Sequence, residues 1–268
     1  SPDVGYIAGD SGTILKSTDG GKSWTDISLP TNTNFRGFEF FTDSIGMYNT
    51  GSVYITYDGG NSWSNIESAL WMDILNDSLA IIISGSLPNY YVKATYDTGK
   101  SFVLKSSIFN MDELTRIRLI NDHEVVFIFD ESLQGLDFED VKYFSIPVEN
   151  LIWDEKINDA YFVDKDNGII IGNKGVLLEN DGYSYGKAFH GHRYNFNAVD
   201  GYYNNIVAVG NTTMVAKVDV GNGPEWVDLL DNNGSSLRHK FNGIGFRDVN
   251  TFFVVGNKGL IWELNYGF

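Results

Sequence analysis

The chain has 268 residues, 43% of them hydrophobic and 20% charged, enough to bury a sizeable core without staples. A net charge of −16, with a pI near 4.5, repels phosphate backbones and anionic lipid surfaces; nucleic acid is excluded as a partner and a neutral or basic one is favoured. With no Cys there are no disulfides or thiolate metal sites, and no window approaches the roughly 18 apolar residues of a membrane helix, so direct membrane insertion is not expected.

The chain opens at Ser1-Pro2-Asp3, with no initiator Met or signal sequence, and an upstream segment is expected to have been removed. The first recurring stretch is Ser17-Thr18-Asp19-Gly20-Gly21-Lys22-Ser23-Trp24. It returns as Thr56-Tyr57-Asp58-Gly59-Gly60-Asn61-Ser62-Trp63 and as Thr95-Tyr96-Asp97-Thr98-Gly99-Lys100-Ser101-Phe102. The starts are 56 − 17 = 39 and 95 − 56 = 39 residues apart, a period that marks propeller blades.

The first full copy gives the unit. Phe35 to Phe41 predicts one strand, Ile45 to Tyr48 a second and Ser52 to Thr56 a third; the Asp-Gly-Gly stretch makes a hairpin turn into a fourth that starts at Trp63. Four antiparallel strands in about 40 residues describe one blade. Later copies lose the Asp-Gly-Gly stretch but keep the turn between second and third strands. Gly9-Asp10-Ser11-Gly12 is echoed by Gly172-Asn173-Lys174-Gly175 and Gly256-Asn257-Lys258-Gly259, and more weakly by Gly210-Asn211-Thr212-Thr213. First strands recur at Leu114 to Leu119, Ile157 to Val163, Phe196 to Val199 and Phe241 to Phe246. In the fourth copy, Asp130 to Asp140 is expected to insert an acidic loop where the others have a tight glycine turn.

Second strands ending near Gly9, Tyr48, Ser84, Phe129, Gly172, Gly210 and Gly256 give seven repeats. The expected fold is therefore all-β: a single domain over residues 1–268, a seven-bladed β-propeller of four-stranded antiparallel blades. Its first and last blades are incomplete, and the removed upstream segment would supply their missing strands.

At the Asp-Gly-Gly stretches the chain resembles the bacterial-neuraminidase-repeat, or Asp-box, propellers, whose box reads Ser/Thr-x-Asp-x-Gly-x-x-Trp/Phe. The run from Val4 to Trp24 is most similar to the photosystem II assembly and stability factors. The resemblance implies a structural role for Asp19, Trp24, Asp58, Trp63, Asp97 and Phe102, with the boxes away from any substrate site. The carboxylate would accept N–H groups of its own hairpin, Gly would take the positive-φ position and the aromatic ring would pack beneath. The absence of Cys fits either a reducing cytosol or a bacterial export route; the expected location is the periplasm or cell surface of a bacterium, with a lipid anchor on the missing segment as one option.

A sialidase would carry the same boxes, and Phe35-Arg36 matches the start of its Phe-Arg-Ile-Pro motif. The match ends at Gly37-Phe38, and six Arg are thin material for an arginine triad. Glu39, Asp73 and Asp200 share one register on first strands with Arg118 and Tyr161, which makes them candidates for a glycosidase carboxylate pair. The plainer expectation is a ring of polar groups around a channel, with Glu39 or Asp73 pairing with Arg116 or Arg118. His190-Gly191-His192 lacks a third ligand by spacing, so neither a metal site nor a cofactor is read from the sequence.

The loops joining fourth to first and second to third strands share one rim. That rim carries Tyr90, Tyr91, Phe109, Trp153, His192, Arg193 and Tyr194, and Arg36 and Arg118 are added as binding candidates. The leading expectation is a monomeric, non-enzymatic assembly-factor-like propeller that engages a protein or peptide on this rim. The alternative is a carbohydrate-active propeller, a glycoside hydrolase or a glycan-binding protein. Function is expected in the irregular stretches 84–91, 105–113, 130–156 and 190–194.

Overall fold

A computed structural model describes the chain apart from residues 1, 87, 110–113, 149–150, 153, 181–183, 188–194, 212–213, 220–222, 229–238 and 266–268. Twenty-six strands and three short 3-10 turns make up its regular structure among the described residues. The chain divides into two compact units: Ser1–Glu113 with Leu119–Val126 and Leu136–Tyr143, and Leu114–Arg118 with Phe127–Gly135 and Phe144–Phe268.

The strands form seven sheets in chain order. The first has β1 (Gly5–Ala8), β2 (Ile14–Ser17) and β3 (Thr25–Asp26). The second has β4 (Gly37–Phe40), β5 (Gly46–Asn49), β6 (Val53–Thr56) and β7 (Ser64–Glu67); the third has β8 (Ala69–Ile74), β9 (Ala80–Ser86), β10 (Asn89–Thr95) and β11 (Val103–Phe109). The fourth has β12 (Leu114–Leu119), β13 (Glu124–Phe129), β14 (Leu133–Asp137) and β15 (Lys142–Ile146). The fifth has β16 (Ile157–Asp164), β17 (Asn167–Gly172), β18 (Leu177–Asn180) and β19 (Tyr185–Lys187); the sixth has β20 (Phe196–Tyr202), β21 (Asn205–Gly210), β22 (Met214–Asp219) and β23 (Gly223–Asp228). The seventh has β24 (Phe241–Phe246), β25 (Thr251–Gly256) and β26 (Leu260–Asn265).

Each sheet is a meander of sequence neighbours, and the first and seventh have three strands where the others have four. Pairing is antiparallel in the first three and last three sheets. The all-β expectation and the four-strand unit hold.

Second strands such as β9, β13, β17 and β21 are near-continuous Ile, Val and Phe runs buried on both faces, as strands enclosed by neighbouring sheets must be. In the first unit a core gathers Phe41, Met47, Val53, Ile55, Met72 and Ile82 from the second and third sheets. In the second unit one core joins Ile169, Ile171, Leu177, Phe196, Val199 and Ile206, and another joins Val207, Val209, Phe241, Phe252 and Val254.

The glycine that ends β17 is set by close approach. A Cβ on Gly172 would stand 1.9 Å from the Lys156 carbonyl oxygen, and the same site recurs at Gly210, 2.0 Å from the Asn195 carbonyl. The turn that follows Gly172 places Lys174 at φ 51° and Gly175 at φ 86°, the positive pair that a tight antiparallel hairpin needs.

Three expectations about irregular stretches are corrected. The expected acidic insertion over Asp130 to Asp140 is a tight turn followed by β14, because Leu133 and Leu136 are buried and draw that segment into the fourth sheet. The stretch 84–91 is largely the ends of β9 and β10, and most of 105–113 is β11, since the backbone ladders run on to Ser86↔Asn89 and Asn89↔Phe109 with Tyr90 and Ile108 buried.

Candidate functional site

First strands of successive sheets lie side by side, β4 by β8 in one unit and β16 by β20 by β24 in the other. A carboxylate on β4, β8, β16 and β20 reaches the backbone of the next first strand. Glu39 Oε2 accepts the Ile74 N–H at 2.7 Å and Asp73 Oδ2 accepts the Leu119 N–H at 2.6 Å. Asp159 Oδ2 accepts the Val199 N–H at 3.4 Å, and Asp200 Oδ2 accepts the Phe246 N–H at 3.2 Å. The three residues read as a possible glycosidase pair therefore share one role: each satisfies a backbone donor that no strand ladder can reach.

The charged part of this arrangement centres on Asp159, 1% exposed. Arg118 Nη2 donates to its two oxygens at 2.9 and 3.2 Å, Arg116 Nη1 lies 3.3 Å away, and Arg118 Nε donates to the Ala160 carbonyl at 3.2 Å. The sequence expectation paired these arginines with Glu39 or Asp73 and passed over Asp159, two residues before the register position taken by Tyr161. The pair joins residues 41 apart in sequence, which alternation within one strand does not reveal.

Burial pushes Asp200 up to about 6, with the Gly201 and Phe246 N–H groups and the Arg118 charge holding it from rising further. Burial likewise raises Tyr161 to about 12, and the Asp200 charge adds to the rise. Because the folded value of Asp200 lies above its unfolded one, its contribution to stability is present below about pH 4 and is lost as pH rises through 6. Asp200→Asn keeps an acceptor for the Phe246 N–H without the buried charge. Its melting temperature at pH 7 is expected to exceed that of the parent by a few degrees, with the gap closing toward pH 4; scanning calorimetry across that range checks this.

The two Asp-Gly-Gly hairpins and the third, Asp97-Thr98-Gly99, are built alike. Asp58 Oδ1 accepts from the Thr56 hydroxyl at 2.8 Å and the Ser62 N–H at 2.9 Å, and Oδ2 accepts from the Ser62 hydroxyl at 2.6 Å. Asp19 does the same with Ser17 and Ser23, and Asp97 with Thr95 and Ser101. Gly59 and Gly60 sit at φ 71° and 88°, and Trp63 packs on Tyr48 with ring centroids 4.7 Å apart. Phe102 packs against the core of the first unit, and Trp24 covers Gly5.

Hydrogen bonds from the serine hydroxyl and amide hold all three aspartates at about 2. A depressed folded value gives stability above about pH 4 that is lost as pH falls through 2. The amide resonances of Ser23, Ser62 and Ser101 should therefore shift together between those limits, at acidities where Asp200 is already protonated.

A fourth, degenerate copy escaped the sequence reading. The residue after each hairpin aspartate donates its N–H to the turn between first and second strands. Gly59 donates to Ser44, Thr98 to Ser78 and, in the fourth sheet, Phe138 to His123. Asp137 thus occupies the hairpin position, 137 − 97 = 40 residues after Asp97. Gly135 and Val141 replace the hydroxyl residues, which removed the sequence signal; the spacing alone could have found it. Among the described residues, side chains able to share a metal ion gather at His123, Glu124 and Asp137.

Most of the expected aromatic rim cannot be placed: Trp153, His192, Arg193 and Tyr194, with His190, lie outside the described residues, as does the Phe109 side chain. Tyr90 is 7% exposed and packed inward on β10, whose alternation turns Tyr91 outward instead, 36% exposed. Tyr90 is thus withdrawn as a contact residue. Arg36 is exposed and its N–H is tied to the Asn49 carbonyl.

No protein-family model matches the chain, and no curated protein sequence matches it. Solved structures do. "YCF48 bound to D1 peptide" superposes with a TM-score of 0.74 at 18% identity, covering 98% of this chain and 88% of that one. YCF48 from Cyanidioschyzon merolae gives 0.71 at 16% identity, covering 98% and 92%. The WD40 beta propeller domain of Doa1 gives 0.67 at 14% identity, covering 99% and 90%. At these identities the likeness shows the fold, and the chain is an all-β propeller.

Proposed function

We propose that the chain is a non-enzymatic binding propeller of seven blades, one for each sheet, that holds a peptide or a protein segment as an assembly factor would. The observation that carries this reading is the likeness, over nearly the whole chain, to a propeller solved with a peptide bound. The occupied state of the inner carboxylates supports it: Glu39, Asp73, Asp159 and Asp200 are committed to backbone donors or to arginine. The hairpins with Asp19, Asp58 and Asp97 belong to the same proposal as Asp-box turns, structural and apart from the binding surface. Export to the periplasm or cell surface fits it as well.

Tyr91 and Arg36 are the described residues proposed to meet the partner; an aromatic ring and a guanidinium are the side chains that most often anchor such contacts. The test is selection of random peptides from a display library on the full chain, followed by binding of an enriched peptide to Tyr91→Ala and Arg36→Glu. Weakening by either variant, with the melting temperature unchanged, supports the reading. An enriched peptide that binds both variants as tightly as the parent removes these residues from the site.

One observation favours the carbohydrate-active alternative. A carboxyl group near 6 beside a second carboxylate suits general acid catalysis, and Asp200 and Asp159 interact electrostatically. Hydrolysis of an aryl glycoside by the parent chain and its loss in Asp200→Asn would establish that reading.

A further inference from the structure

The degenerate fourth hairpin differs from the other three in what faces its aspartate. Asp58 is saturated by two hydroxyls and an amide, whereas the equivalent neighbours of Asp137 are Gly135 and Val141, which have none to offer. Asp137 Oδ1 accepts the Glu139 and Asp140 N–H groups, both at 3.0 Å, and no contact to Oδ2 is made among the described residues. At the turn beside it, the positions held by Ser44-Ile45 and Ser78-Leu79 in the second and third sheets are held here by His123-Glu124. One ligand atom from each of His123, Glu124 and Asp137 lies within 4.8 Å of the other two, and all three side chains are half-buried.

Each of the three is also oriented by a second contact. The Asp122 carboxylate holds His123 Nδ1 at 2.7 Å, the kind of outer contact that orients an imidazole for ligation through its other nitrogen. Asn121 Nδ2 donates to Glu124 Oε2 at 2.5 Å, leaving Oε1. An imidazole with two carboxylates, each steadied by an outer partner, is the donor set of a divalent transition cation such as Zn²⁺ or Mn²⁺. Ligand atoms about 2.0 Å from zinc lie roughly 3.3 Å apart, so from separations within 4.8 Å the side chains close by roughly 1.5 Å or less through rotamer adjustment. We infer that His123, Glu124 and Asp137 form a divalent-cation site, with Asp122 as a positioning residue and water completing the coordination.

The site would add a side-chain clamp to the Phe138 N–H bond that already ties the hairpin between β14 and β15 to the turn between β12 and β13. It is independent of peptide binding.

The test is calorimetric titration of Zn²⁺ into the metal-free full chain, with Mn²⁺ broadening of amide resonances as the locator. One ion per chain is expected, with broadening confined to residues 121–124 and 137–140. Asp137→Asn retains the Oδ1 acceptor for its hairpin, so it should fold while losing affinity at least 100-fold; His123→Ala should lose as much, and Asp122→Asn about tenfold. A variant lacking both His190 and His192 should bind as the parent does. No saturable uptake, uptake unchanged in Asp137→Asn and His123→Ala, or broadening centred elsewhere would overturn the assignment.

Discussion

Replacing Asp159 with alanine is expected to destabilise the fold by about 3 kcal/mol, read as a lowered denaturation midpoint with an unchanged slope. The carboxylate is 1% exposed and neutralises Arg118 at 2.9 Å, with Arg116 close by, so its removal strands a guanidinium on a first strand. The Val199 and Ala160 N–H groups lose an acceptor at the same time. The figure sits at the low end for a broken buried pair because the Arg118 side chain keeps 22% exposure and can recover some hydration. Asp159→Asn should lose less, since an amide still accepts. Replacing both partners, Arg118→Met with Asp159→Leu, should recover part of the loss, because the stranded guanidinium is gone while Arg116 and Asp200 each lose a counter-charge. A Asp159→Ala protein as stable as the parent would mean that the inner strands are not held together in this way.

A larger loss, about 3–5 kcal/mol, is expected for Phe196→Ala. The ring is 2% exposed and sits among Ile169, Ile171, Leu177, Val199, Ile206 and Ala208, all buried, from two neighbouring sheets. Four of these neighbours, Ile169, Ile171, Val199 and Ile206, are β-branched with few rotamers with which to collapse into the vacated space, so the cavity persists and its cost adds to the lost transfer energy. Phe196→Leu should lose less than half as much. The comparison is made by urea denaturation of both variants beside the parent, and a cost for Phe196→Ala under 1 kcal/mol would contradict the core described above.

Much of this architecture was legible because short-range chemistry repeats along the chain. Gly20-Gly21, Gly59-Gly60 and the glycines at 172, 210 and 256 are demanded by positive φ or by a carbonyl too near for a Cβ, so they stand in the sequence as punctuation. The first strands at Leu114–Leu119 and Phe241–Phe246 appear where their apolar pattern places them. What could not be read depended on long-range partners. Asp159 belongs with Arg118, 41 residues away on the first strand of another sheet. Tyr90 and Tyr91 are chemically alike, and only the register of β10 decides that one faces the core and the other solvent. Asp130 to Asp140 was read through its acidity, while the two leucines that pull it into a sheet carried the structure.

Display selection with random peptides on the full chain tests the proposed peptide binding. Enrichment is expected of a peptide that binds reversibly with micromolar affinity, is recovered intact, and is released when Tyr91 or Arg36 is replaced. Selection that enriches no peptide over a chain-free control would contradict it.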